Sequence, residues 1–354
     1  MSKTIDGRLA YVDLFRVFAL VGVIVLHVAL RYLDQSAPAS AAYTASNLYS
    51  GLTRWCVPAF AMLSGALLLD PKKGSKVPAF ALRLLRLVLC ICLWSALYVL
   101  IELLLSGRAL TVWGFLAEME DALLGDSHGV LWFLYIILGF YILSPILRAL
   151  VRGASRAELH YALILSFLVA MLLPTLLAFF PNETVSLYLD RLQLYPVLGF
   201  FFYFIAGYYF RHYTIGRVAE ALIYVLGVIG VLFTIWGASL FSRWWTMTDS
   251  LLFHSYLSPN VALTAVAFFV LFRYVLGVSD ERGRSRGVTA AARCAFGTFL
   301  IHEIFYILFA HLGLFSLPIP TALAIPLWTA VLFLPSFALS WLLRSIPVVG
   351  KYIT

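Results

Sequence analysis

Charge is what this sequence has least of. Asp, Glu, Lys and Arg make up 12% of its 354 residues, about half the share of a soluble domain. Hydrophobic residues make up 63%, and the mean hydropathy is +0.96. A soluble fold of this length has no interior large enough to hide so much apolar surface, whereas lipid solvates it directly. Long polar stretches are missing as well, which excludes a separate soluble domain. Cysteine is scarce: Cys56, Cys90, Cys92 and Cys294 show no metal-ligand spacing. They read as small buried hydrophobes, and no disulfide is expected. Acidic residues are fewer than basic ones, 17 against 25 Lys and Arg, for a net charge of +8. In a membrane protein that excess marks cytoplasmic loops. With no basic soluble domain to carry it, nucleic-acid binding is excluded. No internal repeat is visible, which argues against an inverted-repeat transporter.

What the sequence does have is apolar runs. They cover 11–33, 49–69, 82–105, 130–150, 159–180, 195–210, 218–241, 257–276, 290–315 and 321–343, and most reach the ~20 residues needed to span a bilayer core. The first run is too long for a signal-peptide core and contains Arg16 and His27, so it is expected to be a retained membrane helix. The loops alternate in charge. Lys3 and Arg8, then Lys72, Lys73 and Lys76, then Arg148, Arg152 and Arg156, then Arg211 and Arg217, then Arg282, Arg284 and Arg286, and finally Arg344 and Lys351 all fall on one side if ten helices start inside. The expectation is an all-α polytopic membrane protein of about ten transmembrane helices, a single membrane domain over residues 1–354, with N- and C-termini cytoplasmic. Within 106–128, Val112, Phe115, Leu116, Met119 and Leu123 recur at helical spacing, which predicts a short interfacial helix.

Polar groups inside the spans carry the functional information, because a central Arg costs ~2.5–3.5 kcal/mol on insertion scales. Helix 1 reads Asp13-Leu-Phe-Arg16, with His27 eleven residues beyond Arg16. Eleven residues are almost three turns, so Arg16 and His27 share a face ~16 Å apart along the axis. Asp13 is placed to pair with Arg16, and Arg31 continues the face four residues past His27. Arg83 and Arg86 share a face near the start of helix 3, and guanidinium groups bind phosphate through paired hydrogen bonds. An imidazole such as His27 takes a proton from a hydroxyl near neutral pH. His302 lies mid-helix, where a packing hydrogen bond is the plainer reading. His128 and His254 lie at outer boundaries, where solvation accounts for them. Trp132 and Tyr135 open helix 4 in an interfacial aromatic belt. Asp13 and Glu102 are the intramembrane carboxylates this reading recognises.

These residues together resemble the acyltransferase-3 family of membrane acyltransferases. The resemblance rests on Asp13-Leu-Phe-Arg16 followed by His27, Pro58-Ala-Phe-Ala-Met-Leu-Ser64-Gly65, and Arg83-Leu-Leu-Arg86. It continues through Leu131-Trp132-Phe133-Leu134, Tyr141-Ile-Leu-Ser-Pro145, Phe253-His-Ser-Tyr256-Leu-Ser258-Pro259 and Phe296-Gly297-Thr-Phe-Leu-Ile-His302. The order holds over nearly the whole chain, and the surface-polysaccharide O-acyltransferase branch is the most similar. One position departs: the family often has His directly before Leu-Trp-Phe, where this chain has Val130, so His128 inherits no role. The resemblance implies an acyl group, expected to be acetyl, carried from cytoplasmic acyl-CoA to an extracytoplasmic glycan or lipid-linked sugar across the bacterial inner membrane. On that reading His27 is general base or acyl carrier, and Arg16, Arg83 and Arg86 hold the acyl-CoA phosphates. Asp13, Ser64 and His302 support, Trp132, Tyr135, Tyr256 and Ser258 line the acceptor side, and no metal is required. The rival readings are a transporter or flippase of an anionic lipid or solute, which predicts flux without acyl-CoA, and a non-catalytic scaffold.

Overall fold

The computed structural model describes residues 9–38, 40–70, 77–108, 110–124, 129–194, 197–241, 252–276 and 286–346, except the side chains at 77–79, 238, 239, 241 and 286. The basic-loop residues Lys3, Arg8, Lys72, Lys73, Lys76, Arg282, Arg284 and Lys351, and also His128, lie outside the described residues. The helices are α1 (Ala10–Gln35), α2 (Ala41–Thr53), α3 (Cys56–Leu68), α4 (Val77–Leu105), α5 (Val112–Leu124), α6 (Trp132–Gly153) and α7 (Arg156–Phe167). They continue with α8 (Leu173–Phe179), α9 (Glu183–Leu192), α10 (Phe201–His212), α11 (Arg217–Phe241), α12 (Pro259–Leu271), α13 (Arg286–His311) and α14 (Thr321–Ser345). No strand occurs among the described residues. Nine helical stretches among them are long and apolar enough to cross a membrane. The protein is an all-α polytopic membrane protein, as lipid demands of a chain that must satisfy its own backbone. It divides into two compact units, Met1–Lys73 with Ile146–Thr289, and Gly74–Pro145 with Ala290–Thr354.

In the first unit, α1 runs unbroken for 26 residues. It contains no proline, and its single glycine is a packing contact: a Cβ on Gly22 would lie 3.0 Å from that of Cys56 in α3. α2 starts at Ser40, whose hydroxyl accepts the Tyr43 N–H at 3.0 Å. It breaks at Arg54 and Trp55 before α3. Pro58 supplies the reason, since it has no N–H to give the carbonyl four residues back, that of Arg54. Bonding resumes with the Ala59 N–H on Trp55 O at 3.0 Å. The expected span over 49–69 is therefore a longer one, Ala41–Leu68, interrupted at its middle. Its first turns read as loop because of their Ser, Thr and Asn. Ser46 and Ser50 are nevertheless buried, and Ser46 returns its hydroxyl to the Ala42 carbonyl.

The expected span over 195–210 is shorter than predicted. It becomes α10, of 12 residues, too short to cross by itself. Its neighbours show where it runs. Ser166 in α7 donates to Val197 O at 2.6 Å. Arg156, at the start of α7, donates to Thr214 O at 3.1 Å. The chain therefore enters α10 level with the end of α7 and leaves it beside the first turn of α7. Before α10, the chain continues from α7 through 168–172 into α8.

α10 is nearly all buried and packs on α3 backbone to backbone. A Cβ on Gly65 would lie 1.8 Å from Phe204 O, and one on Gly207 would lie 1.9 Å from Met62 O. Small residues at a membrane-helix crossing permit such approach. Arginines then close the end of α3, where carbonyls lack helical partners. Arg148 donates to Leu68 O at 2.6 Å, and Arg211 donates to Ala66 O while pairing with Asp70 at 2.9 Å. Arg273 donates to Tyr213 O at 2.9 Å. Arg148 of α6, Arg211 of α10 and Arg273, just past α12, thus gather with the end of α3 on one side of this unit. Charge alternation predicted that grouping for Arg148 and Arg211.

In the second unit, the short helix expected within 106–128 is α5. Ala122 is buried against Val99 and Leu103 of α4, with Phe115 and Met119 packed around them. Val112, Trp113, Leu116 and Leu124 stay exposed. The Tyr135 hydroxyl donates to Leu123 O at 3.1 Å and ties the end of α5 to α6. The Tyr98 hydroxyl of α4 donates to Leu300 O of α13 at 2.7 Å.

Candidate active site

α1 delivers the arrangement the sequence pointed to. Asp13 and Arg16 pair at 3.8 Å, with the Asp13 side chain 6% exposed and that of Arg16 26%. His27 is half-buried on the same unbroken helix, so the spacing of eleven residues is a true rise of ~16 Å. Ser64 in α3 donates to Phe60 O at 2.8 Å, within its own helix. Its contribution is local, next to the close approach at Gly65. All four cysteines are free thiols.

At the opposite end of the first unit, polar groups converge from α2, α11 and the start of α12. His254 is 3% exposed, so solvation does not account for it and that expectation is corrected. Its Nε2 meets Asn47 Oδ1 at 3.0 Å and its Nδ1 meets Ser50 Oγ at 3.1 Å. The Asn47 amide nitrogen donates to Ile235 O at 2.7 Å, which fixes Oδ1 as the acceptor. His254 then carries its proton on Nε2, and Ser50 donates to Nδ1. Tyr256 lies under the guanidinium of Arg54, 4.4 Å from Cζ to the ring centre. Ser258 is buried and donates to Ser255 O at 2.7 Å, so its hydroxyl serves the turn leading into α12.

In the second unit, Arg83 and Arg86 are both exposed on the early turns of α4. Trp132 opens α6 with its ring edge-on to Phe133, and Tyr135 is engaged with α5. His302 is fully buried, and its Nδ1 faces the carbonyl of Phe299. Beside it is a group sequence reasoning missed. Glu303 is 6% exposed in the middle of the span Gly287–His311, a further intramembrane carboxylate beyond Asp13 and Glu102. The adjacent histidine drew attention from it, although Glu in a Leu/Ile/Phe run is itself the signal. Gly129 lies against it with φ of 24°, and a Cβ there would lie 2.5 Å from Glu303 Oε1. Gly129→Ala is expected to cost about 1–3 kcal/mol, from strain at positive φ and from displacing a buried carboxylate. Thermal unfolding of the purified protein measures it, with Gly139→Ala as control because nothing lies near that position. Arg54 was missed for a different reason. A span begun at 49 puts it near an end, where an arginine snorkels. The longer helix puts it at the centre.

A family model described as an acyltransferase domain, acyltransferase-3, matches residues 9–345. The chain belongs to the acyltransferase-3 family. No curated protein and no solved structure matches it. The match starts one residue before α1 and ends with α14, so both units belong to the family's domain. This membrane acyltransferase moves an acyl group, other than an aminoacyl group, from a donor to an acceptor.

Proposed function

We propose that this acyltransferase takes an acyl group, acetyl by expectation, from cytoplasmic acyl-CoA and places it on a hydroxyl of an extracytoplasmic glycan or lipid-linked sugar in the bacterial inner membrane. The observation that carries the reading is α1, which holds the Asp13-paired Arg16 and His27 on one unbroken helix. Asp13 fixes the guanidinium at the basic side of the first unit, where a nucleotide phosphate would be held. An extended pantetheine arm is comparable in length to the ~16 Å rise from Arg16 to His27, so the thioester of a donor anchored at Arg16 falls near the imidazole. His27 takes the proton of the acceptor hydroxyl as the oxygen attacks the thioester carbonyl. The C–S bond breaks, and CoA leaves as thiolate and is reprotonated. In the covalent variant His27 receives the acyl group first, and the hydroxyl then attacks acyl-imidazole. His302 is assigned to orienting the hydroxyl, and Trp132, Tyr135 and Tyr256 to the acceptor side. Ser258 is assigned to the turn that presents Tyr256. No metal takes part.

Arg83 and Arg86 are assigned to donor phosphates, because they are exposed and one turn apart on α4. Arg83→Ala and Arg86→Ala are each expected to weaken acyl-CoA binding about tenfold, the loss of one charge-assisted contact. Equilibrium binding of labelled acetyl-CoA to the purified protein measures this. Unchanged affinity would leave the two arginines as anchors at the membrane surface. The function itself is tested in proteoliposomes, by following label from acetyl-CoA added at one face into a glycan or lipid-linked sugar at the other. Flux of an anionic lipid without acyl-CoA would favour the transport reading instead.

A further inference from the structure

Arg54 sits at the centre of a candidate membrane span. Ala41–Leu68 is 28 residues long, which puts Arg54 about 20 Å from either end at 1.5 Å per residue. Pro58 breaks the helix there, and the guanidinium turns toward the start of α12. Its Nε donates to the His254 carbonyl. Nη1 is buried and has no hydrogen-bond partner. No carboxylate among the described residues pairs with it. The groups around it are neutral: Tyr256 beneath the guanidinium at 4.4 Å, His254 with both ring nitrogens bonded, and Cys56. The residue is half-buried rather than sealed. A permanent positive charge within a candidate span, held by a cation–π face and one carbonyl, is costly to keep without a counter-charge. A guanidinium with its Nη edge uncommitted is shaped to receive two oxygens of an anion.

We propose that Arg54 binds the oxyanion of the acyl acceptor, a phosphate or carboxylate carried by an amphiphilic sugar, with Tyr256 holding the guanidinium in place. The proposal deepens the reading above and rests on it for the nature of the acceptor. The carbonyls at the far end of α3, which Arg148 and Arg211 cap, lie about 20 Å away, along the length of α3. Phosphate and carboxylate share the same chemistry here, so the source is decided by experiment.

Labelled dodecyl phosphate is titrated onto the full-length protein in phosphatidylcholine nanodiscs and competed with octyl glucuronide, octyl glucoside or inorganic phosphate. Saturable binding is expected in the wild type. Arg54→Gln should weaken it at least tenfold, while Arg54→Lys, which keeps the charge, should lose less. Octyl glucoside should not compete. Stronger competition by octyl glucuronide than by inorganic phosphate identifies an acidic sugar as the source, and the reverse identifies a phosphate. Size-exclusion elution of both variants at the wild-type volume shows that the loss is not unfolding. Wild-type affinity in Arg54→Gln overturns the proposal, and so does the absence of saturable binding in the wild type. Binding of labelled acetyl-CoA to the wild type is measured in parallel. Its absence would sink the donor assignment while leaving the Arg54 result standing by itself.

Discussion

His27→Ala is expected to lower acyl transfer from labelled acetyl-CoA by about 10²–10⁴-fold, the usual contribution of a positioned general base. Acetyl-CoA affinity should persist, because the phosphates are assigned to Arg16, Arg83 and Arg86. That split separates His27 from a merely structural histidine, whose loss would lower binding, activity and stability together. The two chemical variants also part here. A general base leaves residual transfer in the alanine variant, whereas an acyl carrier leaves none and accumulates acetyl on the imidazole in a rapid quench of the wild type. Full-rate transfer by His27→Ala would falsify the catalytic assignment. α1 makes the prediction sharp. Its 26 residues are uninterrupted, so a Pro or Gly inserted between Arg16 and His27 should also abolish transfer, by changing the rise that links them.

Gly65→Ala is expected to be among the most destabilising single-methyl changes in the first unit, at about 3 kcal/mol or more. The added Cβ would lie 1.8 Å from Phe204 O and 2.6 Å from Phe204 C. Both are backbone atoms, so no side-chain rotation relieves the overlap and α3 must move away from α10. Gly207 mirrors it, with Met62 O at 1.9 Å. The double variant should therefore cost less than the sum of the two singles, because one displacement relieves both clashes. Unfolding temperature in detergent measures the effect. A loss no greater than that of Gly139→Ala would mean that the helices do not meet as described.

The sequence showed most where one helix carries the message. Asp13, Arg16 and His27 needed only the 3.6-residue repeat to be placed together, and α1 has them so. The short helix α5 followed from five apolar residues at helical spacing. The alternation of basic loops anticipated that the ends bearing Arg148, Arg156 and Arg211 would gather on one side. It missed that several of these arginines bond the exposed carbonyls of α3 and its neighbours, a task decided by which helix ends come near one another. The run over 195–210 was legible as apolar but not as a 12-residue helix too short to cross by itself, because hydropathy counts apolar residues and does not see where the chain leaves helical geometry.

Arg54 marks the boundary most clearly. Pro58 four residues on states the helix break in the sequence itself. Whether the arginine lies at an edge or at the centre depends on where the helix begins, and Ser46, Asn47 and Ser50 disguise that beginning. Only packing against α11 and the start of α12 makes those polar residues interior, because Asn47 and Ser50 spend their hydrogen bonds on His254 and Ile235 rather than on water. Glu303 is a similar case: its type and run were plain, but its burial and its contact with Gly129 were not. By itself the sequence determined the membrane class, the helical fold and the shared face of Arg16 and His27, because composition and helical period act within one element. The tertiary structure decided which charges are anchored, which carbonyls they cap and which guanidinium is left with a buried edge unbonded, because those depend on contacts between elements far apart in the chain.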